Sequence, residues 1–548
     1  MRYIYCDIET NGLDPDVIWC VVCRASGVST VIFNAEDFKS YRAAMPESLW
    51  VFHNGIGFDL PVLKKLWDIE FDKESIVDTL VLSRLANPSR SGGHSLRNWG
   101  NTLGFPKGDH EDWSCLSTEM IDYCIRDTEV TQAVHDALIE ELTEFSIESQ
   151  QLEHDVQWVV QDQQRNGWQL DQRLCAELMA TFKERMNDIE EKLQAIFPPI
   201  VEQRTSEKTG KRLKDRVTVF NTGSRQQLAQ RLSTLGAEWT EVTPSGKPVV
   251  DEKTLRHNEH IPEAKLALEY LLVQKRYAQV KSWLEHVRDD GRVHGRVTSN
   301  GAVTGRMTHQ SPNMAQVPAS YSEYGTECRT CWTVPEGKKL VGFDASGLEL
   351  RMLAHYMNDE EYTNVLLTED IHTRNQMAAG LETRSQAKTF IYAFLYGAGD
   401  AKIGSIVGGD SRVGADLKQR FLRNTPSLEA LRERVGKASK RGHLIGLDGR
   451  KLWIRSEHAA LNTLLQAAGA IVMKKGLIIL DDYAKQWKLN YKFVGNIHDE
   501  VQTEVDEHQT ETFGWLAVEC LKAAGLHYKL RCPLDGEYQI GNTWADTH

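Results

Sequence analysis

The chain reads as an α/β protein of more than one domain. Its 548 residues exceed what one hydrophobic core usually organises, so two or three domains are expected. The composition, 41% apolar and 26% charged, supplies ample core material. Strand-like runs are followed by long amphipathic helical patterns in both the first and the last thirds of the chain. No run approaches 18 continuous apolar residues, so no membrane span is expected. The opening "MRYIYCDIETNG" brings carboxylates at once and no small-residue cleavage site, which argues against a leader. The 10 cysteines are scattered; Cys20/Cys23 and Cys328/Cys331 form C-x-x-C pairs without a partner pair at zinc spacing, so buried thiols in a reduced, cytoplasmic protein are expected. The formal net charge of −13 argues against a non-specific nucleic-acid binder. It leaves room for an enzyme with a basic channel and metal-holding carboxylates.

The first element is a strand, "RYIYCDIETNG", ending in a turn. Asp7 and Glu9 are two apart and so share a face. Side-by-side like charges call for a cation or basic partner, unless the strand end is simply solvated. "VFHNGIGFDLPVLKKL" then runs through His53-Asn54-Gly55 to Asp59 at a helix start, with Pro61 in the first turn. Asp68, Glu70, Asp72 and Glu74 read as solvated surface. "TEMIDYCIRDTEVTQAVHDAL" is an amphipathic helix with Met120, Cys124 and Val130 on its apolar side. Tyr123 and Asp127, i and i+4, share a face. Four carboxylates can hold two divalent ions about 3.5–4 Å apart, and a phenol can orient a water for phosphodiester hydrolysis.

Next, "QLEHDVQWVVQDQQRNGWQLD" reads as a long helix ending at Asn166-Gly167, with further helices over roughly 171–197 and 259–286. Between them, Val201–Arg216 holds six Lys/Arg in 16 residues, either a flexible basic loop near DNA backbone or a solvated linker.

In the last half, "GRVHGRVTSNGAVTGRMTHQSPNMAQVPA" places Arg306, Asn313 and Gln316 where they can reach a nucleic acid. "KLVGFDASGLELRMLAHY" ends a strand at Asp344, turns at Ser346-Gly347 and starts a helix at about Leu348. A carboxylate at a strand end can reach a metal without being buried unpaired. Arg384, Lys388, Tyr392 and Tyr396 recur every four residues, a stripe that is basic, then aromatic, and suits a triphosphate and a base. His372 opens the preceding helix. His458, Asn462 and Gln466 repeat every four residues on a long helix; such amides suit minor-groove acceptors common to all base pairs, or a buried amide network. In "YKFVGNIHDEVQTEV", His498, Asp499 and Glu500 sit at a turn between two strands.

These motifs, in this order and over nearly the whole chain, resemble the family A (DNA polymerase I-like) DNA polymerases, in particular those of T-seven-like bacteriophages. The resemblance implies a ribonuclease H-like 3′–5′ exonuclease domain of the DEDD type with a tyrosine (1–145). A right-hand polymerase follows: linker and thumb (146–290), first palm part (291–369), fingers (370–445) and second palm part (446–548). It implies Asp7, Glu9, Asp59 and Asp127 as exonuclease metal ligands with Tyr123. Asp344, Asp499 and the Ala345 backbone carbonyl would hold the polymerase metals, two Mg²⁺ per active site with Mn²⁺ as substitute. Arg384, Lys388 and His372 would meet the dNTP, with Lys388 a proton donor, Tyr392 at the Tyr/Phe position where a Tyr implies weak discrimination against dideoxynucleotides, and Glu349 crowding a ribose 2′-OH. Arg306, Asn313, Gln316, Tyr396, His458, Asn462, Gln466 and His498 would contact DNA, and Glu500 would be auxiliary. The implied activity is primer extension with proofreading in phage replication, in the cytoplasm of an infected bacterium; a repair-type polymerase of low processivity is the alternative. Primer-template DNA and dNTPs are the implied partners, with a phage helicase-primase as a further one. Host thioredoxin is not expected, because the thumb insertion that grips it in the phage relative is replaced by the short basic stretch.

Overall fold

The computed structural model describes residues 2–206, 208 and 210–547; residues 207 and 209 of the basic stretch, Met1 and His548 lie outside them. The first unit is a five-stranded mixed sheet of β1 (Arg2–Thr10), β2 (Ile18–Ala25), β3 (Val28–Ile32), β4 (Ser48–Phe52) and β5 (Ile76–Asp78), in the order β3-β2-β1-β4-β5. β1 pairs antiparallel with β2 and parallel with β4, so its last residues emerge at one edge of the packed layer. Ile4, Cys6 and Ile8 face a core with Val21, Phe38, Trp50 and Phe52. Helix α1 (Asp59–Trp67) begins beside the end of β1, and α2 (Thr118–Glu141) packs across β1 and β2. Ser117 caps α2 by accepting from the Met120 N–H, which sets where the helix begins.

Helix α3 (Ile147–Asn166) ends at Gly167, whose φ of +61° lets the chain turn without a Cβ penalty. A pair of long helices follows, α4 (Gln172–Ile196) and α5 (Pro262–Glu285), packed against each other. The basic stretch between them is a two-stranded hairpin, Ile200–Thr205 with Arg212–Thr218, instead of a loop or linker. Alternation hid under the charges: Val201 pairs with Val217, and Ile200 with Thr218.

The second sheet is antiparallel, in the order β7-β8-β6-β9: β6 (Lys338–Ala345), β7 (Tyr491–Ile497), β8 (Glu500–Asp506) and β9 (Gly536–Gly541). Behind it lie helices α9 (Ala460–Gln486) and α10 (Thr510–His527). Helix α6 (Leu348–Met357) leaves β6 through Gly347 at φ +60°. A helical lobe interrupts the sheet's two halves and contains α7 (Ile371–Ala379) and α8 (Arg384–Leu395). The segment Glu457–Gln486, which includes α9, is long and apolar enough to cross a membrane by composition, but 78% of its apolar window is buried in the largest core. All four C-x-x-C cysteines are buried free thiols, as expected.

The α3 helix ties the first sheet to the rest. Glu153 accepts hydrogen bonds from Arg450 (2.6 Å) and Lys474 (2.6 and 2.8 Å), and Arg450 also donates to Asp448 (2.6 Å). All four side chains are at most 3% exposed. Trp453 Nε1 donates to the Ala86 carbonyl at 2.7 Å across the same junction.

Candidate active sites

The first site is a cleft of about 500 Å³ lined by Asp7, Glu9, Asp59, Tyr123 and Asp127, with His53, Asn54, Phe58, Lys107 and Trp113. The strand period puts Asp7 and Glu9 on its wall, α1 brings in Asp59 with its first residue, and the i, i+4 spacing of α2 adds Tyr123 and Asp127. Asp78 is not among the residues that line this cleft. It accepts from the backbone N–H groups of Asn54 (2.9 Å), Ile56 (3.1 Å) and Leu80 (2.9 Å), and so shapes the loop beside Asp59. Asp68, Glu70, Asp72 and Glu74 are exposed, as read.

Sequence reading missed Lys107. Its ammonium bonds Asp127 Oδ2 and lies 4.6 Å from the Tyr123 ring centre. Two carboxylate oxygens, Glu9 Oε1 and Asp127 Oδ1, are buried with no hydrogen-bond partner. Burial, then Asp127, pushes Glu9 up to about 9; burial lifts Asp59 to about 7 and lifts Asp127 to about 6 against the pull of Lys107. Asp7 is raised well above the usual range by burial and by Asp127 and Glu9. A cage of this kind stores protons until a cation replaces them. Asp7, Glu9 and Cys124 also bring donor atoms within 4.8 Å of one another, but burial holds the Cys124 thiol well above its ordinary pKa.

The second site forms at the end of the antiparallel sheet. Asp344 pairs with Glu500 in register, and the Ala345 N–H donates to the Asp499 carbonyl at 3.3 Å, so Asp344 and Asp499 are brought together. His498 makes the turn at φ +62°. Asp344 is exposed and Asp499 partly so. Glu500 is turned into the core: it accepts from Trp544 Nε1 (2.5 Å) and Gln502 Nε2 (2.6 Å), with Arg329 at 3.9 Å. It braces the C-terminal turn against the hairpin.

Helix α8 presents Arg384 and Lys388 to solvent and holds Tyr392 half-buried, while Ala387, Phe390, Ile391 and Phe394 are buried. Thr383 and Gln386 form a reciprocal cap at its start. Tyr396 lies one residue past the helix. Its hydroxyl donates to Glu349 at 2.8–2.9 Å, and Arg306 reaches the same carboxylate at 3.3 Å. Arg384 is bonded to Asp370, a partner that spacing did not reveal. His372 has a buried Nδ1 without a hydrogen-bond partner, and its ring lies 6.3 Å from Tyr392.

The remaining predicted contacts are scattered over nearby surfaces. Asn313 caps the turn Met314–Gln316 through the Ala315 N–H (3.1 Å), and the Gln316 carbonyl accepts from Gln279 Nε2 (2.7 Å). Asn462 and Gln466 are partly accessible positions on the otherwise buried first turns of α9. His458 lies in the 3-10 turn Glu457–Ala459, which runs directly into the first turn of α9. Its carbonyl sits against Gly397, where a Cβ would approach it to 2.7 Å.

The family model for DNA polymerase family A matches residues 172–546. The chain belongs to DNA polymerase family A. The RNase H superfamily model matches residues 4–114, the part that carries β1 and α1. The DNA-directed DNA polymerase of Escherichia phage T7 is 34% identical over an alignment of 707 positions that covers 100% of both chains. That of Enterobacteria phage T3 is also 34% identical, over 93% of this family A chain and 95% of its own. DNA polymerase I of Aquifex aeolicus is 26% identical over 99% and 96%. Among solved structures, the POL domain of Pol1 from M. smegmatis, in complex with DNA primer-template and dNTP, shares the fold with a TM-score of 0.81 at 20% identity, covering 97% of this chain and 93% of that one.

Proposed function

We propose that this chain extends DNA primers on a template and proofreads them with a 3′–5′ exonuclease in its first domain, in the replication of phage DNA inside the bacterial host. The observation that carries the reading is the presence of two separate carboxylate sets. Asp344 and Asp499 are joined through the backbone at the sheet end, with Asp499 close enough to Tyr392 of α8 to act on its phenol, and Asp7, Glu9, Asp59 and Asp127 line one cleft with Tyr123. All-oxygen donor sets, and the buried unpaired oxygens of Glu9 and Asp127, fit hard divalent cations. Asp7, Glu9, Asp59 and Asp127 would hold one pair of Mg²⁺ or Mn²⁺; Asp344, Asp499 and the Ala345 carbonyl would hold the other. Bound there, the cations supply charge that activates the attacking oxygen and neutralises the phosphoryl group.

The chain's own groups do the rest. Arg384, Lys388 and His372 bind the triphosphate, and Lys388 delivers a proton to the departing pyrophosphate. Glu349, held by Tyr396 and Arg306, crowds a ribose 2′-OH. Tyr392, partly buried between His372 and Tyr396, faces the nucleotide and leaves discrimination against dideoxynucleotides weak. Arg306, Asn313, Gln316, His458, Asn462, Gln466 and His498 line the primer-template path, with the amides on minor-groove acceptors. Tyr123 orients the hydrolytic water in the first cleft. In this scheme α4 and α5 with the hairpin are the thumb, the antiparallel sheet is the palm and the α7–α8 lobe is the fingers.

Incubation of the protein with labelled primer-template and Mg²⁺ tests the reading. The primer should grow with dNTPs and shorten without them. D344A should stop only the growth and D7A only the shortening; loss of both activities in either variant would overturn the two-site assignment.

A further inference from the structure

Lys107 belongs to neither set of residues just assigned a role, yet it occupies the middle of the first cleft. Its backbone is anchored on both sides. The Phe105 N–H donates to the Gly100 carbonyl (2.8 Å), Arg126 Nε donates to the Pro106 carbonyl (3.0 Å), and Arg97 pairs with Asp109 at 2.7 Å. Any side chain at Gly100 would press on Phe105 and Lys107, at 2.8 and 3.1 Å. Only the lysine side chain is left to move, and it lies across the Tyr123 ring with its ammonium on Asp127. It satisfies one oxygen of Asp127 and leaves the other, together with Glu9 Oε1, buried and unpaired.

Formal charge says what such a group is for. Once the cage gives up its protons to bind cations, its four carboxylates against one ammonium leave a large negative excess in the cleft. Two divalent ions would cancel the four carboxylates and leave the ammonium surplus. A phosphodiester carries one negative charge, so it matches that surplus. Tyr123, under the lysine stem, lies beside the place where the hydrolysed linkage must sit if the exonuclease reading holds.

We infer that Lys107 is a resident counter-cation of the carboxylate cage: metal ions displace its ammonium from Asp127, and the released ammonium then holds a non-bridging oxygen of the scissile phosphate. This rests on the exonuclease reading of the first cleft. It makes a pair of opposite expectations. Removing a competing charge tightens metal binding, while removing a phosphate ligand slows cleavage.

The test is K107M, with K107R as the charge-preserving control. Mn²⁺ binding is followed by electron paramagnetic resonance in a D344A/D499A background, so that the first cleft alone is titrated. Single-turnover cleavage of a single-stranded oligonucleotide is measured at saturating Mn²⁺. K107M should bind Mn²⁺ about tenfold more tightly or better, the size one charge at contact distance imposes on a neighbouring equilibrium. It should cleave about 100-fold more slowly, as for a lost transition-state charge contact. K107R should keep wild-type Mn²⁺ affinity and most of the cleavage rate. Unchanged or weaker Mn²⁺ binding in K107M, with K107R intact, would overturn the inference while D7A still abolishes Mn²⁺ binding and cleavage. If the wild-type cleft binds no Mn²⁺ that D7A removes, the exonuclease reading and this inference fall together.

Discussion

Asp370 uses one carboxylate for two tasks. It caps α7 through the His372 N–H (3.1 Å) and holds the guanidinium of Arg384, whose Nη2 lies 3.1 Å from Oδ1. A nucleotide triphosphate must compete for that guanidinium. D370N keeps an oxygen for the cap and removes the charge, so it should lower the dNTP KM by about two- to fivefold, the range of an exposed ion pair. Steady-state extension with varied dNTP measures this, and an unchanged KM would mean that Arg384 is not contested. Asp370 and Lys107 were both illegible in the sequence, because each partner lies 14 or 20 residues away and only the folded loops bring the charges together. Asp7, Glu9, Asp59, Asp344 and Asp499 were legible for the opposite reason. Each of these carboxylates is ambiguous alone, but motifs in a fixed order along the chain, at strand ends and helix starts, single them out together.

At the scale of elements, the β1–α1–α2 cleft links pH to stability. Glu9 is raised from an ordinary 4.5 to about 9 and Asp59 from 3.8 to about 7, both chiefly by burial. The folded state therefore holds protons that the unfolded chain has lost. That contribution is full below the ordinary values and disappears as pH rises through the folded ones. In EDTA, calorimetry should show the first domain losing melting temperature from about pH 6 to about pH 9. Mn²⁺ should offset the loss, so its stabilising effect grows with pH; an effect of equal size at both ends would contradict the proton-storing cage.

The α3 junction is the second element-scale case. Glu153 is fully buried between Arg450 and Lys474. Burial lowers the Lys474 pKa to about 8 despite Glu153. E153Q leaves two buried cations facing Asp448 alone and should cost about 3–5 kcal/mol in urea unfolding. A loss under about 1 kcal/mol would mean that water reaches the quartet. Helix positions here were readable from periodicity, but the quartet was not, since its members come from residues 153, 448, 450 and 474.

At the scale of the whole molecule, the basic hairpin projects from the far end of α4, a 25-residue helix about 37 Å long. Its exposed cations stand against a chain of formal net charge −13. The hairpin is short, and we expect no thioredoxin clamp. Primer extension with excess trap DNA should give the same product lengths with and without thioredoxin, and a large gain with it would refute the expectation. The long helices were legible because they repeat a period over many residues, while the order of an RNase H-like part before a polymerase part was legible only from the order of the motifs. The hairpin was not, because charge masked its two-residue alternation.

The order in which the two sheets can close follows from their wiring. The five strands of the first sheet are complete by Asp78, and α2 covers them by Glu141. Strand β6 must wait for β8 and then for β9, where Leu340 meets Gly541. During synthesis the first domain can therefore assemble while β6 has no neighbour and its edges are open, a state prone to wrong pairing. Pulse proteolysis of ribosome-bound chains stalled shortly after β6 has emerged should find the first sheet protected and β6 cut. Equal protection of both would mean that something other than the chain's own later strands shields β6 at birth.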